Sequence, residues 1–262
     1  MDISQLLPQV IAIAKRAGQF ILKEGADFDR SKIEEKGLND LVSYVDKESE
    51  RQIVQALQKL LPGSGFIVEE GTSPTGEKDW TWIIDPLDGT TNFLHGLPVF
   101  AVSIALAFKR KAVLGVVYEP NRDECFYATA EGAFCNGELM RVSEVGQLKE
   151  SLIATGFPFY RFGKMPAYLK ILEEFMRSCH GLRRMGSAAV DLAYVACGRF
   201  QGFFEYNLKP WDVAAGAYIV KQAGGQVTDF GGGNNYIFGK EIIASNSIAA
   251  EMRETVQKYW KD

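Results

Sequence analysis

The chain has 262 residues, 47% of them hydrophobic, enough to build a large core without disulfide or metal staples. A net charge of −4 argues against a nucleic-acid binder, which carries a basic excess. Two histidines, His95 and His180, weigh against a multi-histidine zinc site and a His-based nucleophile system.

In chain order, the opening MDISQLLPQV carries an acid at position 2 and a proline at position 8, so no signal peptide is expected. The segment from Ile3 to Glu24 places Leu6, Leu7, Val10, Ala14, Ala17 and Ile21 on one face, which predicts a helix stopped by Gly25. A second helix is predicted from Asp46 to Leu61, with Pro62-Gly63 ending it. The texture then turns β-like, in short runs at 65–69, 80–85, 99–108, 112–118 and 124–128. The apolar run at 99–108 contains Ser103 and is too short for a membrane span. Helical patterns follow at 166–178, 188–196, 213–222 and 248–260, with strand-like pieces at 151–155, 201–206 and 242–245 between them. Phe100, Phe108, Trp80 and Trp82 are expected to pack in the core, as is His95. No linker or repeat divides the chain, so a single layered α/β (α+β) domain over residues 1–262 is expected. Cys125, Cys135, Cys179 and Cys197 form no C-x-x-C pair and suit reduced thiols in a cytoplasmic protein.

The informative feature is where acids fall relative to strand ends. Val68-Glu69-Glu70-Gly71 ends one predicted strand, and Ile84-Asp85-Pro86-Leu87-Asp88-Gly89 ends the next. Trp211-Asp212-Val213 opens a helix. Proline fixes φ and glycine relaxes the backbone, so a tight turn at 86–89 can aim Asp85 and Asp88 at one point. Two such charges about 4 Å apart repel by roughly 4 kcal/mol at an effective dielectric near 20. A cluster of this kind protonates or holds a cation, and an all-oxygen donor set selects Mg²⁺ or Mn²⁺. Singly, each acid has an ordinary reading: Glu69-Glu70 as a solvated pair, Asp88-Gly89 as a turn, Asp212 and Asp46 as helix caps.

Together, Asp85-Pro86-Leu87-Asp88-Gly89-Thr90-Thr91-Asn92, Trp211-Asp212-Val213-Ala214-Ala215-Gly216 and Gly224-Gly225 resemble the inositol monophosphatase family of Mg-dependent, lithium-sensitive phosphatases. The likeness extends to Asp40–Asp46 with Glu50, Glu69-Glu70-Gly71, Gly115–Pro120, Asn136-Gly137 and Gly186-Ser187-Ala188-Ala189, and so spans most of the chain.

The resemblance implies a sugar-phosphatase-like fold of alternating helix layers and mixed sheets, and a homodimer. It implies two or three Mg²⁺ held by Glu69, Asp85, the Leu87 carbonyl, Asp88 and Asp212. It implies hydrolysis of a small phosphate monoester, with myo-inositol 1-phosphate first in line, by an activated water. Glu69, and Thr90 backed by Asp46, are implied to serve that water, and the N–H groups of Gly89 and Thr90 the phosphate. Gly186, Ser187, Ala188, Glu205 and Asp212 are implied to touch the alcohol. Rival substrates within the family are a 3′,5′-bisphosphate nucleotide, fructose 1,6-bisphosphate and histidinol phosphate. A rival of another class is a non-catalytic regulatory protein on the same fold. No nucleic-acid or membrane partner is expected. The pair Arg183-Arg184 is read either as anion-binding or as solvated.

Overall fold

The structure, a computed structural model, describes residues 3–26, 28, 34–37, 40–72, 76–158 and 162–261. A 3-10 turn at Ile3–Gln5 precedes helix α1 (Leu7–Ala26). Pro8 falls in the first turn of α1, where its missing N–H has no intrahelical partner to lose. The short antiparallel pair β1 (Glu34–Gly37) and β2 (Asp40–Val42) leads into α2 (Tyr44–Leu60). Helix α2 starts two residues before the predicted Asp46 because Ser43 is its N-cap. The Ser43 Oγ accepts from Val45 N–H at 3.1 Å, and the Asp46 carboxylate reaches back to Ser43 N–H at 2.8 Å. Asp46 therefore closes a capping box from inside the helix instead of standing at its first position.

The chain continues through β3 (Gly65–Val68), β4 (Trp80–Asp88), α3 (Thr90–Leu94), β5 (Ala101–Phe108), β6 (Lys111–Glu119), β7 (Glu124–Thr129), β8 (Gly132–Cys135) and β9 (Glu138–Leu139). These seven strands pair in sequence order, all antiparallel except β3 with β4. The remaining strands and α-helices are β10 (Leu152–Thr155), α4 (Met165–Ser178), β11 (Gly181–Arg183), α5 (Ala188–Ala196), β12 (Gly202–Tyr206), α6 (Pro210–Gln222), β13 (Gln226–Thr228), β14 (Glu241–Ser245) and α7 (Ala249–Tyr259). They include a five-stranded sheet of order β11-β10-β12-β14-β13, parallel around β10 and antiparallel around β14.

Strand alternation sorts the side chains into three cores. Along β4, Trp82 and Ile84 join α1 and α2 in one core, whereas Ile83 faces α5 and α6 in another. On β5, Val102, Ile104 and Leu106 point to the first core and Ala101, Ala105 and Ala107 to the second. In the smaller sheet, Phe203, Ile242 and Ala244 share the second core, and Phe204, Tyr206 and Ile243 pack with α4 and α7 in a third. The period-2 pattern thus yields five layers: α1/α2, the seven-stranded sheet, α5/α6, the five-stranded sheet and α4/α7.

Two packing expectations change. Phe108 is partly exposed and rests its ring on Trp80, with centroids 4.6 Å apart. His95 is exposed at the end of α3 instead of packed in the core. Trp82 is fully buried as expected, and all four cysteines are free thiols.

The middle layer lies close to the large sheet because the contact residues are small. A Cβ on Gly115 of β6 would come within 2.7 Å of the Ala215 carbonyl oxygen and 3.2 Å of its Cα, so the neighbour is backbone and cannot swing away. Gly115→Val should therefore destabilise by about 1–3 kcal/mol, an overpacking cost. A urea midpoint lowered at unchanged slope would register it; an unchanged midpoint would mean that α6 shifts freely.

Candidate functional site

Strand β4 carries the central acids, and a bulge aims them. In a regular strand Asp85 and Asp88, three residues apart, would face opposite sides. Here Asp85 pairs with Ser103 and Asp88 with Ala101, so three steps along β4 answer two along β5. The extra residue returns Asp88 to the Asp85 side, facing the α5/α6 layer. This bulge replaces the expected tight turn at Pro86. The chain turns only at Gly89, with φ of 97°, where a Cβ would also come within 2.9 Å of the Val99 carbonyl.

Glu69, Asp85, Leu87, Asp88, Gly89, Thr90, Gly186, Ser187, Ala188, Glu205 and Asp212 all line one cavity. Every residue expected at the site is thus brought together except Asp46, which stands behind Thr90. Thr90 Oγ1 lies 2.8 Å from Asp46 Oδ1 and 3.0 Å from the Leu87 carbonyl oxygen. Asp46 Oδ2 accepts from the Ser43 N–H at 2.8 Å and from the Ser43 hydroxyl at 2.7 Å. Asp88 Oδ2 accepts from the Ser187 hydroxyl and the Ala189 N–H, both at 2.6 Å. Asp212 is the third residue of α6 and accepts from Lys209 N–H at 2.7 Å, and Asp85 Oδ1 accepts from Leu87 N–H at 3.0 Å.

The electrostatics follow from burial. Burial, then the charges of Glu69, Asp88 and Asp212, drives the Asp85 carboxyl well above the usual range. Asp88 is pushed up to about 6 by burial against the pull of Ser187, Ala189 and Arg184. Asp212 is pushed up to about 7 by burial and by Asp88, with Lys209 opposing. Burial also raises Asp46 and, together with Asp212 and Asp88, Glu205. All the donors are oxygens, which suits a hard divalent cation. The acids line the cavity without closing into a cage: among the described residues no three His, Cys, Asp or Glu side chains are grouped as a ready metal site.

Arg184 lines the cavity and lowers the carboxyls of Asp88 and Glu205, whereas Arg183 donates to the Leu182 carbonyl at 2.9 Å. His95 is not among the lining residues.

Sequence reasoning assigned no role to two residues that shape the site. Glu50, one turn after Asp46 on α2, accepts from Glu70 N–H at 2.6 Å and from the Thr72 N–H and hydroxyl at 2.7 Å, and so holds the loop that carries Glu69. The available signal was its i, i+4 spacing from Asp46. Asn92 donates from Nδ2 to the Val99 and Met185 carbonyls at 2.7 and 2.8 Å and ties the β4 turn to the α5 entry.

The family model described as the inositol monophosphatase family matches residues 2–261. The chain belongs to that family. It is 43% identical over 256 residues to the protein named Nus factor SuhB of Escherichia coli K12, covering 95% of this chain and 96% of that one. Among solved structures, it superposes on the Bartonella henselae extragenic suppressor protein suhB with a TM-score of 0.91 at 42% identity, over 97% of this chain and 99% of the other. The Thermotoga maritima IMPase gives a TM-score of 0.88 at 37% identity, over 99% and 98%. The fold is therefore that of the family's phosphatases.

Glu50→Gln keeps the size of the side chain but replaces one accepting oxygen with a donor. The Glu70 and Thr72 amides, which both point at that carboxylate, should then exchange with deuterium faster than in the parent. Unchanged protection would show that the loop is held without Glu50.

Proposed function

We propose that this family member hydrolyses a small phosphate monoester, myo-inositol 1-phosphate first among candidates, to the alcohol and phosphate with Mg²⁺. The observation that supports this best is the meeting, at one cavity, of Glu69, Asp85, Asp88 and Asp212 with the Thr90–Asp46 hydrogen bond. Glu69, Asp85, the Leu87 carbonyl, Asp88 and Asp212 are the groups that would hold two or three Mg²⁺, or Mn²⁺. Such ions, when bound, neutralise phosphoryl oxygens, lower the pKa of a water and stabilise the leaving alkoxide.

The chain's own groups do the rest. Asp46 accepts the Thr90 hydroxyl proton, which turns the Thr90 oxygen lone pairs toward an attacking water as acceptors. Glu69 stands at the same cavity as a further acceptor for that water. The N–H groups of Gly89 and Thr90, at the start of α3, meet phosphate oxygens. Gly186, Ser187, Ala188, Glu205 and Asp212 face the alcohol. Residues 1–262 act as one catalytic domain, in a cytoplasmic homodimer.

A second reading comes from the name of the Escherichia coli relative, Nus factor SuhB: a regulatory role on this fold, with or without hydrolysis.

Phosphate release from myo-inositol 1-phosphate should vanish in EDTA, return with Mg²⁺ and fall in Li⁺ at limiting Mg²⁺. Asp88→Asn should lower kcat by more than about a hundredfold. Full turnover in EDTA would overturn the metal assignment, and no turnover of this or of the rival esters would leave the regulatory reading.

Asp46→Asn separates the relay from the cap. Sequence alone suggests that asparagine caps as well as aspartate and leaves stability intact. In the structure both carboxylate oxygens are occupied by donors, so the amide nitrogen must face either Ser43 or Thr90. A loss of about 1–3 kcal/mol is expected, with kcat down by roughly a hundredfold. A lowered melting temperature with normal turnover would make Asp46 a cap alone.

A further inference from the structure

Helix α5 (Ala188–Ala196) is buried along its whole length and uncharged at every position but one. The exception is Asp191, 1% exposed. It lies one turn after Ser187 and Ala188, on the face whose first turn bonds Asp88, and it lines the same cavity. Its Oδ1 is buried and has no hydrogen-bond partner. An unpartnered polar atom in such a place destabilises the fold, and aspartate is a poor helix former besides. Its neighbours along the helix include Ala188, Val190, Leu192 and Val195, and none of them offers a side-chain hydrogen bond.

What surrounds Asp191 supplies a reason to keep it. The cavity wall beside it is formed by Glu205 of β12 and by Gly156, which follows β10. A Cβ on Gly156 would overlap the Glu205 carboxylate, so glycine there leaves that carboxylate room at the wall. Arg184, which lines the same cavity, is its one basic residue among the described residues and lowers the carboxyls of both Asp191 and Glu205. Two carboxyl groups and a guanidinium offer hydroxyl acceptors and a donor. Burial, then the charges of Glu205 and Asp88, raises the Asp191 carboxyl.

We propose that Asp191 is a specificity residue that, with Glu205, hydrogen-bonds a ring hydroxyl of the leaving alcohol and so selects phosphate esters of polyhydroxylated rings. This rests on the phosphatase reading for its substrate, but not for its readout, which is binding. The probes are myo-inositol 1-phosphate and cyclohexyl phosphate, the same ring without the hydroxyls, titrated calorimetrically in Mg²⁺ with Asp46→Asn as the common parent background, so that binding is read ahead of turnover. The parent should prefer the hydroxylated ester. Asp191→Ala should cut that preference about tenfold, in the range of a lost hydroxyl contact. Asp191→Asn, which keeps an acceptor of the same shape, should restore most of it and covers the case in which the alanine variant fails to fold. A preference unchanged in Asp191→Ala, lost equally in both variants, or absent from the parent would overturn the proposal. Selective binding without phosphate release by the unsubstituted chain would instead sink the phosphatase reading and leave the role of Asp191 standing.

Discussion

Carboxylates gathered at one cavity repel one another, and the fold answers that repulsion with helix N-termini. Asp46 and Asp212 are the third residues of α2 and α6, and each accepts a backbone N–H from the residue before its helix. Asp88 accepts the Ala189 N–H at the start of α5, and Thr90 opens α3. Three helix starts, those of α2, α6 and α5, thus each hold one acid, Asp46, Asp212 and Asp88, at a positive end. Each such end contributes about 0.3–1 kcal/mol, against roughly 4 kcal/mol for two charges 4 Å apart at a dielectric near 20. The helices therefore offset the repulsion in part, and the raised carboxyls of Asp85, Asp88 and Asp212 express the remainder.

This arrangement needs α5 and α6 inside the molecule, with their starts at one edge, and that is what the layering provides. Both helices lie between the sheets, so the ends of β4 on one side and of β12 on the other reach the same helix starts. Glycine and alanine at the contacts bring the layers close: Gly115 meets Ala215, and a Cβ on Gly216 would come within 2.6 Å of the Leu192 side chain. A helix with an apolar stripe on one face could not occupy this place. The helices there are apolar nearly all round, and a polar residue in them, such as Asp191, stands out for that reason.

Much of this was legible in the residues. Apolar alternation located the long strands, and the acids at strand ends located the cavity, because both are local patterns with a fixed period. Strands β8, β9, β11 and β13 run only two to four residues, too short for a period to declare itself. The β4 bulge was hidden as well, since a bulge depends on pairing with β5 and leaves in the sequence only a proline and a glycine. Glu50 and Asn92 were given no role because their partners, the 70–72 loop and the Val99 and Met185 carbonyls, are mostly backbone groups brought near by folding. Phe108 was read as core from its type alone, but it ends its strand, and the hairpin leaves its ring at the edge.

Around the starts of α5 and α6, the cavity has two sheet-borne walls that can vary separately. Asp85, Asp88 and Thr90 come from β4 and the start of α3, at the seven-stranded sheet, whereas Gly156 follows β10 and Glu205 lies on β12, at the five-stranded one. On the proposed reading, the first half carries the phosphoryl chemistry, which is the same for every monoester, and the second half meets the alcohol, which differs. A substitution on the smaller sheet can then alter the preferred ester while the acids of β4 keep their bulge and their bonds to α5. The signature run at 85–92 accordingly defines a reaction and says little about a substrate, and the residues that would name the ester lie more than sixty positions further along the chain.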